Sequence, residues 1–240
     1  MTMPQQEEVF HDCRCPHCQH TLSFPESAAG SAQECPMCGK IVTVPHGHAA
    51  EAGTFPVPIV TSRLRLREPV AGDAPALAAF LAGPDVYRFW DADPMDLAEV
   101  EVAIGERWTN RLTQAAGSLW LAAESAGAAI GLVCIAYSSQ DRLQGTFFVV
   151  LHPDYQRRGF GTELAAGLLD FAFHGIGLHR VAVGCDSRNE AAARMLEKAG
   201  MRREGQFLQD RLLRGVWVDT VQYAMLAHEF GRKPSAPPGA

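Results

Sequence analysis

No apolar run in this chain comes near the roughly 20 residues needed to cross a bilayer. The first ten residues are polar and acidic, without a basic start or an apolar signal core. A cytoplasmic protein is expected. Positive charge is scarce: residues 1–57 carry Glu7, Glu8, Asp12, Glu26, Glu34 and Glu51 against only Arg14 and Lys40, and the formal net charge of the whole chain is −6. Electrostatic attachment to a phosphate backbone needs the opposite sign, so a nucleic-acid partner is not expected. A length of 240 residues with 47% hydrophobic and 20% charged residues suits a soluble protein with one good core and an appendage.

Cysteine is concentrated at one end. Five of seven lie before residue 40, and Cys15-Pro16-His17-Cys18 and Cys35-Pro36-Met37-Cys38 form two Cys-x-x-Cys knuckles separated by sixteen residues. That spacing reads as a tetrahedral zinc site with Cys15, Cys18, Cys35 and Cys38 as ligands. A disulfide framework suits a secreted chain better, and the βαβ context of a redox Cys-x-x-Cys is missing. Four thiolates leave no open coordination position, so a structural Zn2+ is expected and metal catalysis is not. Cys13 is read as packing or a spare thiol; His11, His17 and His20 are weaker ligand candidates. A segment this small buries little core, so the metal supplies much of its folding free energy.

Residues 46–57, with Gly47, Gly53 and Pro56 and no periodicity, read as a linker holding the solvated His46 and His48. The expected layout is therefore a ribbon over 1–45, a linker over 46–57, a larger domain over 58–230 and a disordered tail over 231–240, rich in proline. Within the larger domain, 59–68 alternates arginine with leucine as a half-buried strand does. Asp73 is placed to cap a helix over 74–81 that Gly83-Pro84 stops. A second helix is expected over 95–112, strands over 119–124, 130–137, 147–151 and 181–185, and a buried helix over 164–173. Gly200 closes a helix over 190–199, and a final hairpin pairs 207–211 with 216–226.

The most informative stretch runs Val149-Val150-Leu151-His152-Pro153-Asp154-Tyr155-Gln156-Arg157-Arg158-Gly159-Phe160-Gly161-Thr162. An apolar strand ends at a Pro-Asp turn, a basic glycine loop follows, and an apolar helix starts near Thr162. Glycines let an anion approach several N–H groups, the helix N-terminus leaves its first N–H groups unpaired, and Arg157 and Arg158 add charge. A phosphate-bearing ligand is implied. The loop lacks the Lys-Ser/Thr ending of a nucleotide P-loop and the three-glycine spacing of a dinucleotide site.

Gln156-Arg157-Arg158-Gly159-Phe160-Gly161 instead resembles the Gln/Arg-x-x-Gly-x-Gly/Ala signature of the GNAT superfamily of N-acyltransferases. Thr61-Ser62-Arg63-Leu64-Arg65-Leu66-Arg67, Leu178 to Val183 and Asn189 through Met201 are similar to further family segments, and the match, over about 58–228, is nearest the RimJ/RimL ribosomal-protein branch. The resemblance implies an α+β fold, a mixed, mostly antiparallel sheet flanked by helices, with acetyl-CoA as cosubstrate. It places the coenzyme against Val149, Val150, Leu151, Gln156, Arg157, Arg158, Gly159, Phe160, Gly161, Thr162 and Asn189. Two strands splay to admit the acyl-pantetheine arm, and a main-chain N–H at Val149 or Val150 polarises the thioester carbonyl.

The reaction this implies is acetyl transfer from acetyl-CoA to a primary amine, such as a protein N-terminus, by direct attack. The alternative is a catalytically weak acyl-CoA-binding regulator whose ribbon binds a protein partner. Positions where relatives carry catalytic side chains hold Thr146, Ala192 and Leu196, so the proton must pass to another group. His152, Asp186 and Tyr223 are the candidates, His152 first because imidazole can give or take a proton near neutral pH. Asn189 is placed to contact the pantetheine, to cap the next helix, or both. Tyr87, Phe89, Trp90 and Trp108 lie where an acceptor groove or a core would use them. Cys185 is expected to be a buried thiol.

Overall fold

In the computed structural model the chain divides into two compact units, Met1–Glu51 and Ala52–Ala240. The structure describes residues 10–15, 18, 21–28, 31–43, 57–108, 117–137 and 144–231. The expectations for His17, His20, His46, His48, the linker up to residue 56 and the tail from 232 lie outside them.

The smaller unit consists of two antiparallel ribbons. Strand β1 (Phe10–Arg14) pairs with β2 (Thr21–Pro25), and β3 (Ala32–Glu34) with β4 (Ile41–Thr43). His11 and Cys13 lie on β1, opposite Phe24 and Leu22. The second knuckle closes as a tight turn: Gly39 N–H donates to Cys35 O and Cys35 N–H to Lys40 O, both at 2.9 Å, with Gly39 at φ 70°. Among the described residues Cys15, Leu22, Cys35 and Val42 are buried, with Phe24 and Cys38 packed against them.

The larger unit is built on one eight-stranded sheet. In chain order it contains β5 (Ile59–Val60), β6 (Arg65–Arg67), α1 (Ala74–Leu81), α2 (Leu97–Val102), β7 (Gly117–Ser125), β8 (Ala128–Tyr137), β9 (Gln144–Leu151), α3 (Phe160–Asp170), β10 (Arg180–Asp186), α4 (Glu190–Lys198), β11 (Arg202–Leu213) and β12 (Val216–Leu226). The spatial order is β11-β12-β10-β9-β8-β7-β6-β5. Every pairing is antiparallel except β9 with β10. This is the expected α+β architecture.

Alternation along the strands feeds two cores. On one face Leu164, Leu168 and Leu169 of α3 and Leu196 of α4 pack against Leu121, Ile135, Val181 and Val183. On the other, Leu77, Phe80 and Leu81 of α1 and Val100 of α2 pack against Ala122, Leu132 and Val150. Along β9, Phe147 and Leu151 serve the first core and Val150 the second, as a period of two requires.

Several features differ from the sequence reading. The strand expected over 59–68 is two short strands, because Thr61 turns the chain: its N–H donates to Leu64 O (2.9 Å) and its Oγ1 accepts from Leu64 N–H (3.1 Å). Asp73 stands before α1 but makes no side-chain cap. Its carboxylate instead takes both Nη atoms of Arg67, at 2.7 and 2.8 Å, and the Val70 N–H. A bidentate guanidinium outcompetes a single helix N–H. The second helix starts one residue after Asp96, which forms a capping box with Glu99, and it widens into a π turn over Ala103–Arg107. Strands β9 and β11 begin earlier than periodicity suggests, at Gln144 and Arg202, since pairing with a neighbour extends a strand beyond its apolar stretch.

Candidate active site

Strands β9 and β10 pair at two positions only, Arg180 with Gln144 and Val181 with Gly145, and then part. Gly145 marks the seam: a β-carbon there would stand 2.5 Å from Leu178 Cδ1 and 2.9 Å from Ala136 O. Beyond it, β9 remains paired to β8 through Leu151, and β10 to β12 along its whole length. Each strand thus has one satisfied edge and one edge facing the gap. Val149, Val150 and Leu151 lie on the β9 wall. Unpaired strand edges on both sides are what an extended chain of amides needs in order to dock by main-chain hydrogen bonds.

The glycine loop closes one end of this gap. His152 N–H donates to Ile130 O (2.9 Å), ending β9. The His152 ring lies 5.6 Å from Phe80 and 5.8 Å from Tyr155, and its Nδ1 accepts the Asp154 N–H at 3.1 Å. Gln156 does not reach outward; its amide donates to Leu151 O at 3.1 Å and pins the loop to the strand. Arg157 (φ 58°) and Gly159 (φ 84°) both take the left-handed conformation, and α3 begins at Phe160, two residues before the expected start. The first intrahelical bond in this turn runs from Glu163 N–H to Gly159 O (3.1 Å), so the N–H groups of Phe160, Gly161 and Thr162 precede it. Arg157 and Arg158 are exposed beside them. Gly161 has a packing reason as well as the one expected from its loop: a β-carbon there would meet Met195 Sδ of α4 at 3.3 Å.

The other candidates are distributed as follows. Asn189 caps α4, its Oδ1 accepting the Ala192 N–H at 3.1 Å. Asp186 is buried and held by Arg188, through Nε (2.9 Å), Nη2 (2.7 Å) and N–H (2.9 Å), which keeps its carboxyl below the ordinary carboxylate range despite burial. Tyr223 sits on β12, one strand further from the gap than β10, and donates to Glu197 Oε1 at 3.0 Å. Burial and that neighbouring carboxylate push its phenol up to about 12. Cys185 is a buried thiol raised by burial and by Asp186. Of the positions without a catalytic side chain, Thr146 is exposed opposite Ala136, and Leu196 is fully buried.

Tyr87, Trp90, Phe148, Trp120 and Trp108 form a continuous series of ring contacts, stacked, tilted and edge-on, with centroids 4.4 to 6.2 Å apart. Tyr87 and Trp108 are buried core residues. Sequence reasoning missed Arg63 and Glu163, which meet at the loop across a hundred residues, a separation with no periodic or motif signal; only the acid in the first helical turn of α3 hinted at a site.

A family model described as "Acetyltransferase (GNAT) domain" matches residues 63–202, more than half of the chain. The chain belongs to the GNAT acetyltransferase family. The matched span contains the strand gap, the glycine loop and α4. Membership places the chain among acyl-CoA-dependent N-acetyltransferase enzymes, with acetyl-CoA as donor.

Similarity to individual proteins is uneven along the chain. YnaD of Bacillus subtilis, named an uncharacterised N-acetyltransferase, is 36% identical over 81 residues, 34% of this chain and 48% of its own. The chain thus spans about half the length of that relative. YoaA of the same organism, also named an uncharacterised N-acetyltransferase, is 25% identical over 173 residues, 72% of this chain and 97% of its own. Among solved structures, the spermidine N-acetyltransferase of Vibrio cholerae in complex with CoA and spermine superposes with a TM-score of 0.59 at 21% identity, covering 71% of this chain and 99% of that one. This last likeness is one of fold.

The four knuckle cysteines of the smaller unit come together as expected. Their sulfurs all lie within 4.8 Å of one another, with Cys15 to Cys38 and Cys18 to Cys35 at 3.7 Å. A tetrahedron of Zn–S bonds of about 2.3 Å has sulfur–sulfur edges of about 3.8 Å, so the donor set fits that ion.

Proposed function

We propose that this protein transfers the acetyl group of acetyl-CoA to a primary amine by direct attack on the thioester. The observation that carries the reading is the parting of β9 and β10 after two residue pairs, immediately beside a glycine loop that opens α3. The loop N–H groups, with Arg157 and Arg158, receive the pyrophosphate, and the β9 edge around Val149 and Val150 supplies the main-chain donor for the carbonyl. Rate enhancement then comes chiefly from holding amine and thioester together. Tyr223, its proton committed to Glu197, and Asn189, committed to capping α4, act by positioning. His152 stands at the end of the β9 wall, and the amine proton passes to it through water at Nδ1, which must give up the hydrogen bond it accepts from the Asp154 N–H. His152→Ala is expected to lower kcat at least tenfold with little change in the KM for acetyl-CoA; an unchanged kcat removes it from the mechanism.

The acceptor is proposed to be an amine on a cationic body, such as a polyamine or a basic protein N-terminus. The segment 85–107, which follows α1 and contains α2, holds seven acids (Asp85, Asp91, Asp93, Asp96, Glu99, Glu101, Glu106) against Arg88 and Arg107, with Arg214 Nη2 donating to Ala92 O beside them. The Vibrio cholerae neighbour, named as a spermidine N-acetyltransferase, supports the same choice. Thiol release from acetyl-CoA, measured with spermidine and with peptides beginning Ser or Ala, tests it. Turnover with one class names the acceptor, and silence with all of them, alongside tight acetyl-CoA binding, supports the regulatory alternative. In the smaller unit we infer a structural zinc on Cys15, Cys18, Cys35 and Cys38. One zinc per chain by elemental analysis, lost in Cys35→Ser, is the expected result.

A further inference from the structure

We propose that Arg63 is a positioning residue for the coenzyme phosphates, acting through the peptide bond between Arg158 and Gly159; this rests on the coenzyme reading of the glycine loop. Glu163, in the first turn of α3, accepts four hydrogen bonds from one turn of chain: Thr61 Oγ1 (2.6 Å), Ser62 Oγ (2.9 Å), Arg63 N–H (2.7 Å) and Arg63 Nε (2.7 Å). Burial alone would push its carboxyl up; those donors outweigh burial and hold it at about 2, so it is ionised at any working pH. Arg63 is fixed further by stacking over Phe160, 4.2 Å from the ring centroid. Phe160 in turn contacts Tyr155, and Tyr155 contacts His152, so the clamp is continuous with the turn that ends β9.

With Nε committed to Glu163, Nη1 of Arg63 donates to the main-chain carbonyl of Arg158 at 3.1 Å. A trans peptide is planar, with its C=O and the following N–H pointing in opposite directions. Drawing the Arg158 carbonyl toward Arg63 therefore turns the Gly159 N–H away from it, ahead of the N–H groups of Phe160, Gly161 and Thr162. The clamp matters because the next residue is glycine. Gly159 tolerates either sign of φ, so nothing local prevents this peptide plane from flipping. Nη2 of Arg63 lies 3.4 Å from the place a β-carbon on Gly159 would occupy, so the same position that permits the flip also admits the guanidinium that prevents it. Because Glu163 neutralises Arg63, the contribution is orientation and not added charge.

The test compares acetyl-CoA with acetyl-pantetheine, which lacks the phosphates. In Arg63→Met, the ratio of kcat/KM for acetyl-CoA over acetyl-pantetheine is expected to fall about tenfold, through KM and not kcat. Arg63→Lys, which keeps the charge but lacks the planar fork that bonds Glu163 through Nε and Arg158 O through Nη1 while stacking on Phe160, is expected to show the same loss. In an amide spectrum of the labelled protein, the Gly159 signal is expected to shift on CoA addition in the parent and not in Arg63→Met. Equal losses on both donors, or full rescue by lysine, overturn the proposal. Should Arg63→Met fold poorly, Glu163→Gln keeps the local shape while loosening the hold on Arg63, and its ratio must fall in the same direction. A parent protein that does not prefer acetyl-CoA to acetyl-pantetheine sinks the coenzyme reading itself, and this proposal with it; a normal preference left unmoved by the variants sinks the Arg63 role alone.

Discussion

The two units of this chain bury their interiors by different means. In the smaller one the buried set among the described residues is Cys15, Leu22, Cys35 and Val42, so half of it is cysteine, and two further thiols complete a cluster with the spacing of a tetrahedral metal site. In the larger one, α3 alone buries Leu164, Ala165, Leu168 and Leu169 against a sheet with helices on both faces. Area removed from water stabilises the second; the zinc proposed for the four thiols would stabilise the first, whose buried side chains among the described residues are few. Cysteine placement follows the same division. Cys134 and Cys185, in the larger unit, are buried thiols with raised pKa, Cys134 to about 12, which marks them as packing groups and not as ligands or nucleophiles.

The contrast can be broken most directly by removing the proposed zinc or one of its ligands. Chelation, or Cys15→Ser, is expected to unfold residues 10–43 outright while the melting transition of the larger unit remains; persistence of folded amide signals from 10–43 without zinc would show that the small core suffices. Leu168→Ala, at a fully buried position of α3, should cost the larger unit about 2–5 kcal/mol by denaturant titration and leave zinc content unchanged.

Acid sharpens the comparison within the larger unit. Glu163 has its folded-state pKa depressed to about 2 from 4.5, so its stabilisation is complete above the unfolded value and is lost as pH falls from about 4.5 toward 2. Glu204, held by Arg180 and Arg202, is also near 2 and titrates in the same window. The denaturation midpoint of Glu163→Gln should therefore fall less steeply between pH 5 and pH 3 than that of the parent; identical slopes would assign the acid loss to Glu204 and other groups. The smallest effect is expected of Asn189→Ala. Loss of the cap on α4 should cost about 1 kcal/mol. A fall in acetyl-CoA affinity beyond that would show that the amide also contacts the coenzyme.

Much of the site was legible in local sequence. The αL Gly159 ahead of α3 and Gly200 at φ 90° beyond α4 each express a backbone requirement that residue type announces. Asn189 reads correctly as a cap for the same reason. Asp73 does not, because its carboxylate was claimed by Arg67, six residues earlier and on a different element. Tyr223 and Asp186 looked available for proton transfer; Glu197 and Arg188, brought to them by packing and by a turn, occupy them.

The two knuckles, the glycine loop and the apolar periodicities were determined by sequence alone, since each depends on residues within a few positions of one another and on conformational preferences of individual residue types. Three features were decided only by tertiary structure. The gap exists because β9 and β10, neighbours across 28 intervening residues, meet at Gly145 and then diverge. Asp73 pairs where it does because a fold puts Arg67 beside it. The orientation of the Gly159 peptide depends on Arg63, held by Glu163 from a hundred residues away. Hydrogen bonds of that kind are set by which elements share a face, and no local spacing encodes them.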